Sequence, residues 1–358
     1  MTVDLRAYGW TERWADAFLV HAEAGLIPAR VTLEHTHIYR VISARGELLA
    51  RVSGRLRHQA GARADFPVVG DWVAVETTPH EASARVRAVL PRTSRFSRRA
   101  AGDPTEEQVL GSNIDVVFLV AGLDHNFNPR RLERYLLVAS DSGAAPVIVL
   151  NKADLVDDVD TAVAAVRALQ PDVPVHAVSC HMPETLNALR QHVGVGRTAA
   201  LLGSSGVGKS TIINRLIGSD LLRTHGVREA DSKGRHTSTS RQLVIMPGGG
   251  VLIDTPGMRE LQLWDTGGLA DTFTDIAGLA EGCRFRDCAH QREPGCAVTA
   301  AVAAGTLAAD RYGSFLRLAA EQAHVERQQE ARALLEEKRR AKIGSKALQK
   351  RVREKGQG

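Results

Sequence analysis

Three folded units are expected from this sequence: an N-terminal β-barrel of the OB type, a central α/β domain and a C-terminal α-helical domain built around a metal site. Three observations predict them. Short alternating strands recur between residues 30 and 89, strands and helices alternate between 114 and 253, and three of the four cysteines fall within residues 283–296. A chain of 358 residues accommodates two or three domains, and 44% apolar with 24% charged residues is a globular composition.

Residues 1–29 read as a helical lead-in, with Trp10, Trp14, Phe18 and Leu19 at roughly helical spacing. From Arg30 the period shortens to two, and runs at 30–34, 37–42, 47–52, 69–75 and 84–89 predict about five strands. That count fits an OB-type barrel over residues 30–103, and an SH3-like barrel would show the same pattern. Residues 92–103 are rich in arginine and end in Gly102-Asp103-Pro104, the composition of a linker loop.

Residues 104–266 form the α/β unit: strand 114–121, helix 129–142, strand 146–150, helix 159–169, strand 173–178, a short helix near 183–192 and strand 197–202. Runs at 241–246 and 250–253 complete the sheet. Asn151-Lys152-Ala153-Asp154 ends the strand at 146–150 and fits a guanine-reading turn. A carboxylate at Asp154 accepts hydrogen bonds from guanine N1 and its exocyclic amine; with adenine it would be left unpaired, so such a site rejects adenine. Ser179-Cys180 fits the loop that backs the base.

Gly203-Ser204-Ser205-Gly206-Val207-Gly208-Lys209-Ser210, followed by Thr211, comes after an apolar strand and opens a helix, the setting a phosphate loop requires. Its glycines let backbone N–H groups face phosphates, Lys209 meets the terminal phosphates, and the Ser210 hydroxyl binds Mg²⁺. Asp254-Thr255-Pro256-Gly257 suits the second switch, where Asp254 reaches Mg²⁺ through water and the Gly257 amide meets the γ-phosphate. Residues 234–239 occupy the place of the first switch, and one of Thr237 and Thr239 completes the Mg²⁺ shell. An ordinary GTPase starts with its phosphate loop, whereas this chain starts with its base reader. The central unit is therefore expected to be a circularly permuted P-loop GTPase domain, which the chain leaves directly from its second switch.

Met258 comes directly after Gly257, where Ras-type GTPases place a water-orienting glutamine. A thioether cannot orient water, so hydrolysis by the chain alone should be slow, with the missing group supplied by His236 or by a partner.

Cys283-x4-Cys288-x-His290-x5-Cys296 offers four soft ligands at the spacing of tetrahedral Zn²⁺, and four protein ligands leave no open position, so one structural zinc is expected. The helical zinc-binding unit spans 267–337, with a long charged helix from about residue 312. Residues 338–358 form a basic tail carrying nine Lys/Arg against Glu354 alone. Residues 30–100 add thirteen arginines against six acids, so the rest of the chain carries −10 within a net charge of +5. Two basic modules around an acidic centre point to a polyanionic partner, most simply nucleic acid. The start of the chain shows no signal-peptide pattern, and the longest apolar stretch, within 114–123, is far too short to cross a bilayer, so a cytoplasmic protein with no membrane partner is expected. Lysine is scarce, eight against 38 arginines, yet Lys152 and Lys209 both fall in nucleotide motifs, where a compact point charge serves better than a planar fork.

The permuted motifs, the Cys/His knuckle and the run Val68-Val69-Gly70-Asp71-Trp72-Val73, together with Gly234-Arg235-His236-Thr237, closely resemble the small-ribosomal-subunit-dependent GTPase family, RsgA, over roughly residues 30–320. The resemblance implies a late assembly factor that binds the small ribosomal subunit and its rRNA, cycles between GTP and GDP, is stimulated by the subunit and departs after hydrolysis. Neither the lead-in nor the basic tail is guaranteed by the family, and Cys180 stands where many GTPases have alanine. A different class stays open from the residues alone: a GTP-gated RNA-binding module on another RNA, with hydrolysis incidental. Nothing in the sequence points beyond a monomer.

Overall fold

The computed structural model describes residues 2–35, 37–78, 81–100, 103–124, 127–218, 241–254 and 268–355. His236, Thr237, Thr239, Gly257 and Met258 lie outside the described residues.

A 3-10 turn (Leu5–Tyr8) and helix α1 (Glu12–Ala22) form the lead-in. Trp14 and Phe18, one turn apart, are buried with Leu5 against Trp72 and Leu90 of the barrel, and Trp10 meets Trp72 edge-on at 4.7 Å. Leu19 lies off this face and is exposed, so helical spacing alone overstated its part in the core.

The barrel consists of β1 (Ile27–His35), β2 (Ile38–Ser43), β3 (Gly46–Val52), β4 (Trp72–Thr77) and β5 (Ser83–Val89), with helix α2 (Gly54–Gln59) between β3 and β4. Its order, β1-β2-β3-β5-β4 with β4 returning to β1, closes five strands as in the OB type. Every second residue faces in, giving a core of Val31, Tyr39, Val41, Leu48, Val73, Val75 and Val86. Gly70 has φ +96°, and a Cβ there would lie 2.1 Å from Ser112 O, so only glycine fits this crossing. Asp71, fully buried beside it, accepts from Val68 N, Ser112 Oγ and the Arg92 guanidinium, which fastens the barrel to residues 92–112.

Residues 92–103 are not the loop expected from their arginines. Strand β6 (Arg95–Ala100) pairs antiparallel with β7 (Asp103–Ser112). Phe96 and Ala100 turn inward, while the polar positions find partners on β7: Ser97 on Glu107 and Arg98 on Gln108.

The central sheet contains β8 (Val116–Gly122), β9 (Ala145–Asn151), β10 (Val175–Ala177), β11 (Thr198–Gly203), β12 (Arg241–Ile245) and β13 (Val251–Asp254). They order as β10-β9-β8-β11-β13-β12, all parallel except β12. Helices α3 (Pro129–Ser142), α4 (Val159–Leu169), α5 (Asn187–Arg190) and α6 (Lys209–Ile217) connect them. Both faces of β8 are covered: Val117 and Leu119 pack toward α3, and Val116, Phe118 and Val120 toward α5 and α6. The outer strand β12 is continued by barrel strand β1, with Glu34 opposite Arg241 and ion-paired to it at 3.1 Å, so eleven strands form one sheet.

Helices α7 (Leu269–Thr272), α8 (Thr274–Ala280), α9 (Ala297–Ala303) and α10 (Ala309–Lys355) complete the chain. At 47 residues α10 is roughly 70 Å long, and the basic tail continues it as helix. No helix among the described residues is long and apolar enough to cross a membrane.

Candidate functional site

The base-reading and phosphate-binding motifs lie about fifty residues apart in sequence, yet both end at the carboxyl edge of the sheet, where ligands of open α/β sheets bind. Asn151, the last residue of β9, is buried, and its Nδ2 donates to Val207 O of the phosphate loop at 2.8 Å. Gly208 makes that bridge possible: its φ is +95°, and a Cβ would stand 2.2 Å from Asn151 Nδ2. Helix α6 starts immediately afterwards at Lys209, carrying Ser210 and Thr211 in its first turn, so orphan N–H groups and the positive end of the helix dipole face the loop. Gly206 also adopts positive φ, and Gly203 is packed so tightly against Val120 O that a Cβ would lie 2.3 Å from it. Lys209 Nζ donates to the carbonyls of Gly203 and Ser204, at 2.7 and 2.5 Å.

Asp154 is exposed and accepts a 2.5 Å hydrogen bond from the buried Ser179 hydroxyl. That bond holds the Asp154 carboxyl below the usual carboxylate range, so it is an ionised acceptor at neutral pH. Cys180 Sγ lies 3.7 Å from Asn151 Oδ1, and burial pushes its thiol up, away from the reactive thiolate. Asp254 stands at the end of β13, next to phosphate-loop strand β11. The expected base reader and backing loop, the phosphate loop and Asp254 are thus brought to one edge.

Three residues here, Asp124, Arg131 and Tyr135, were not singled out from sequence. Asp124 ion-pairs at 2.6 Å with Lys152, which sits in the left-handed region at φ 63°. From α3, Arg131 donates to Ser204 Oγ at 2.9 Å and the Tyr135 hydroxyl lies 3.0 Å from the same atom. These side chains line a cavity of about 200 Å³ beside the phosphate loop. Their contacts span 28, 73 and 69 positions in the chain, and no local spacing announces them.

The second site joins α8 to α9. Ligand atoms of Cys283, Cys288, His290 and Cys296 all lie within 4.8 Å of one another. A tetrahedron with Zn–S of ~2.3 Å and Zn–N of ~2.05 Å has edges of about 3.8 Å for S···S and about 3.6 Å for S···N. Cys283 and Cys296 sulfurs are 3.9 Å apart, and each lies 3.5 Å from His290 Nδ1, so the donor set fits zinc. His290 reaches it with φ 58°, and its carbonyl accepts from the Tyr312 hydroxyl on α10.

A protein-family model described as RsgA GTPase matches residues 89–264, and one described as 50S ribosome-binding GTPase matches residues 198–339. The chain is 50% identical over 333 residues to the small ribosomal subunit biogenesis GTPase RsgA of Opitutus terrae, across 90% of this chain and 91% of that protein. It is 44% identical to RsgA 2 of Lactiplantibacillus plantarum across 99% of both. Among solved structures it is similar to YjeQ of Thermotoga maritima, with TM-score 0.64 and 25% identity over 83% of this chain and 99% of that one. YloQ, described as a circularly permuted GTPase, matches in fold at TM-score 0.61 and 21% identity, over 85% of this chain and 96% of that one.

Proposed function

This chain belongs to the RsgA GTPase family, and from that premise we propose that it hydrolyses GTP as an assembly factor of the small ribosomal subunit, binding rRNA and leaving after hydrolysis. The observation that carries the reading is the Asn151–Val207 hydrogen bond, which locks a base reader onto a phosphate loop that comes after it in sequence.

In this reading the ionised Asp154 accepts from guanine, oriented by Ser179, while Cys180 and Lys152 flank the base. Backbone N–H groups from Gly203 to Thr211 meet the phosphates, and Lys209 exchanges its loop carbonyls for the terminal phosphate oxygens. Ser210 directly and Asp254 through water would hold Mg²⁺, which would supply charge neutralisation at the phosphates when bound. Thr237 or Thr239 completes that shell, and His236 or a group from the subunit orients the attacking water in place of the thioether of Met258. Zinc held by Cys283, Cys288, His290 and Cys296 is structural, and the arginines of the barrel and the Lys/Arg of residues 338–358 serve the rRNA.

Steady-state GTP turnover tests the reading, measured alone, with small ribosomal subunits, and with large subunits as control. Slow turnover accelerated by small subunits alone is expected. Tight GTP binding without such stimulation would turn the reading to a GTP-gated RNA-binding module.

A further inference from the structure

We propose that Arg131 and Tyr135 are positioning residues for the phosphate loop, and that docking of α10 on the same helix sets where they stand, so that nucleotide grip and C-terminal module are coupled through α3. The inference rests on the GTPase reading and deepens it.

Ser204 is touched from two sides. Its hydroxyl meets Arg131 and Tyr135, and its carbonyl accepts from Lys209, the residue that must move to meet a terminal phosphate. A change in the lysine's partner is therefore felt at the residue α3 holds. On an adjacent face of the same two turns, Arg130 forms an ion pair with Asp310, Glu133 accepts from Arg311 at 2.7 Å, and Arg134 makes a two-bond fork with Glu321 at 2.8 and 2.6 Å. Five consequential positions between 130 and 135 thus sit within about a turn and a half of helix. A segment that short moves as one body, so any displacement of it that follows α10 carries Arg131 and Tyr135 as well. Glu133 and Arg311 are both buried, and separating them would strand charge, which makes the docking close to all-or-none. By linkage, whatever displaces α10 weakens or tightens nucleotide binding, and nucleotide acts on α10 by the same factor. The route is made wholly of described residues and does not depend on 255–267.

Release of a fluorescent GDP analogue from the full chain, measured by stopped flow, tests this in Glu321→Gln, Tyr135→Phe and the double variant. Each single change should speed release roughly fivefold, and the double should be no faster than the faster single. The exchanged pair, Arg134→Glu with Glu321→Arg, should restore the original rate, which a general loss of structure could not do. Release from Glu321→Gln at the unmodified rate, or a double variant showing the product of the two singles, overturns the coupling while leaving the GTPase reading intact. An unmodified chain that binds no guanine nucleotide overturns both.

Discussion

Replacing Arg311 by methionine should undock α10 from α3. The Arg311 guanidinium lies 4.5 Å over the Phe273 ring and donates to Glu133 Oε1, to both oxygens of Asp275 and to Thr272 O. Methionine keeps an apolar stem and a sulfur on the ring, so what is lost is mainly electrostatic. Glu133 is fully buried; it would keep Arg130 alone on Oε1, and its Oε2 already has no hydrogen-bond partner among the described residues. Removing one partner of a buried pair costs about 3–5 kcal/mol. The surviving Arg130 bond, and an Asp275 side chain 45% exposed to water, place this case at the low end, ~3 kcal/mol. Adding Glu133→Gln removes the orphaned charge and should bring the joint back to within about 1 kcal/mol of the original. Native-state hydrogen exchange of α10 amides from Ala309 to Val325 reads this directly as local opening. A thermal midpoint would blend the transitions of several modules. Protection in Arg311→Met within ~1 kcal/mol of the unmodified chain, or a double variant that opens as readily as the single, would refute the account of the joint.

Three further outcomes are expected. Ser179→Ala removes the bond that lowers the Asp154 pKa, and the acceptor form is the ionised one; binding is full above the ordinary carboxylate value and lost as pH falls through the lowered one, so in the variant GDP affinity should begin to fall at higher pH, and an unmoved acid limb of Kd refutes this. Gly208→Ala forces a side chain into positive φ and against Asn151 Nδ2, which should weaken guanine nucleotide binding by on the order of 100-fold in equilibrium titration; retained affinity would show that the Asn151 bridge is dispensable. Elemental analysis should find one zinc per chain, and chelation under reducing conditions should expose the amides of α9 (Ala297–Ala303) to exchange; unchanged protection without metal would remove zinc from the account of this module.

What was legible in the sequence was what repeats or recurs locally. Period-two alternation announced the five barrel strands, and glycines at fixed offsets announced the phosphate loop, because backbone geometry at Gly206 and Gly208 admits little else. The Cys/His spacing did the same for the cluster of Cys283, Cys288, His290 and Cys296. Composition misled at 92–103: the polar groups there pair across to β7, Ser97 with Glu107 and Arg98 with Gln108, and those partners are ten positions further on. The α3 contacts were invisible for a stronger reason. Arg130 meets Asp310 across 180 residues, and Arg134 meets Glu321 across 187, so neither partner sits in any window a periodicity can scan. Charged residues on a helix read as a solvated face until the fold lays a second helix on them.

The permuted order decides how both accessory modules reach the nucleotide. Phosphate-loop strand β11 lies between β8 and β13. The chain arrives from the barrel and hairpin through β8, and β13 is the last strand before residues 255–267 and the helical module. Each module is therefore covalently tied to an immediate neighbour of β11. The ties are registered by backbone as well as by side chain: Asp115, just before β8, accepts from Thr198 N through its carboxylate at 2.7 Å and donates its own N–H to Thr198 O at 2.8 Å. In an unpermuted domain the phosphate-loop strand comes first and its two neighbours are interior to the chain, so neither neighbour is a point where an appended domain attaches. Here a pull on either module is applied one strand away from Gly203, and α3 adds a third connection on the face above. A phosphate loop flanked in this way can report on the placement of two modules at once, which the proposed departure from RNA after hydrolysis requires.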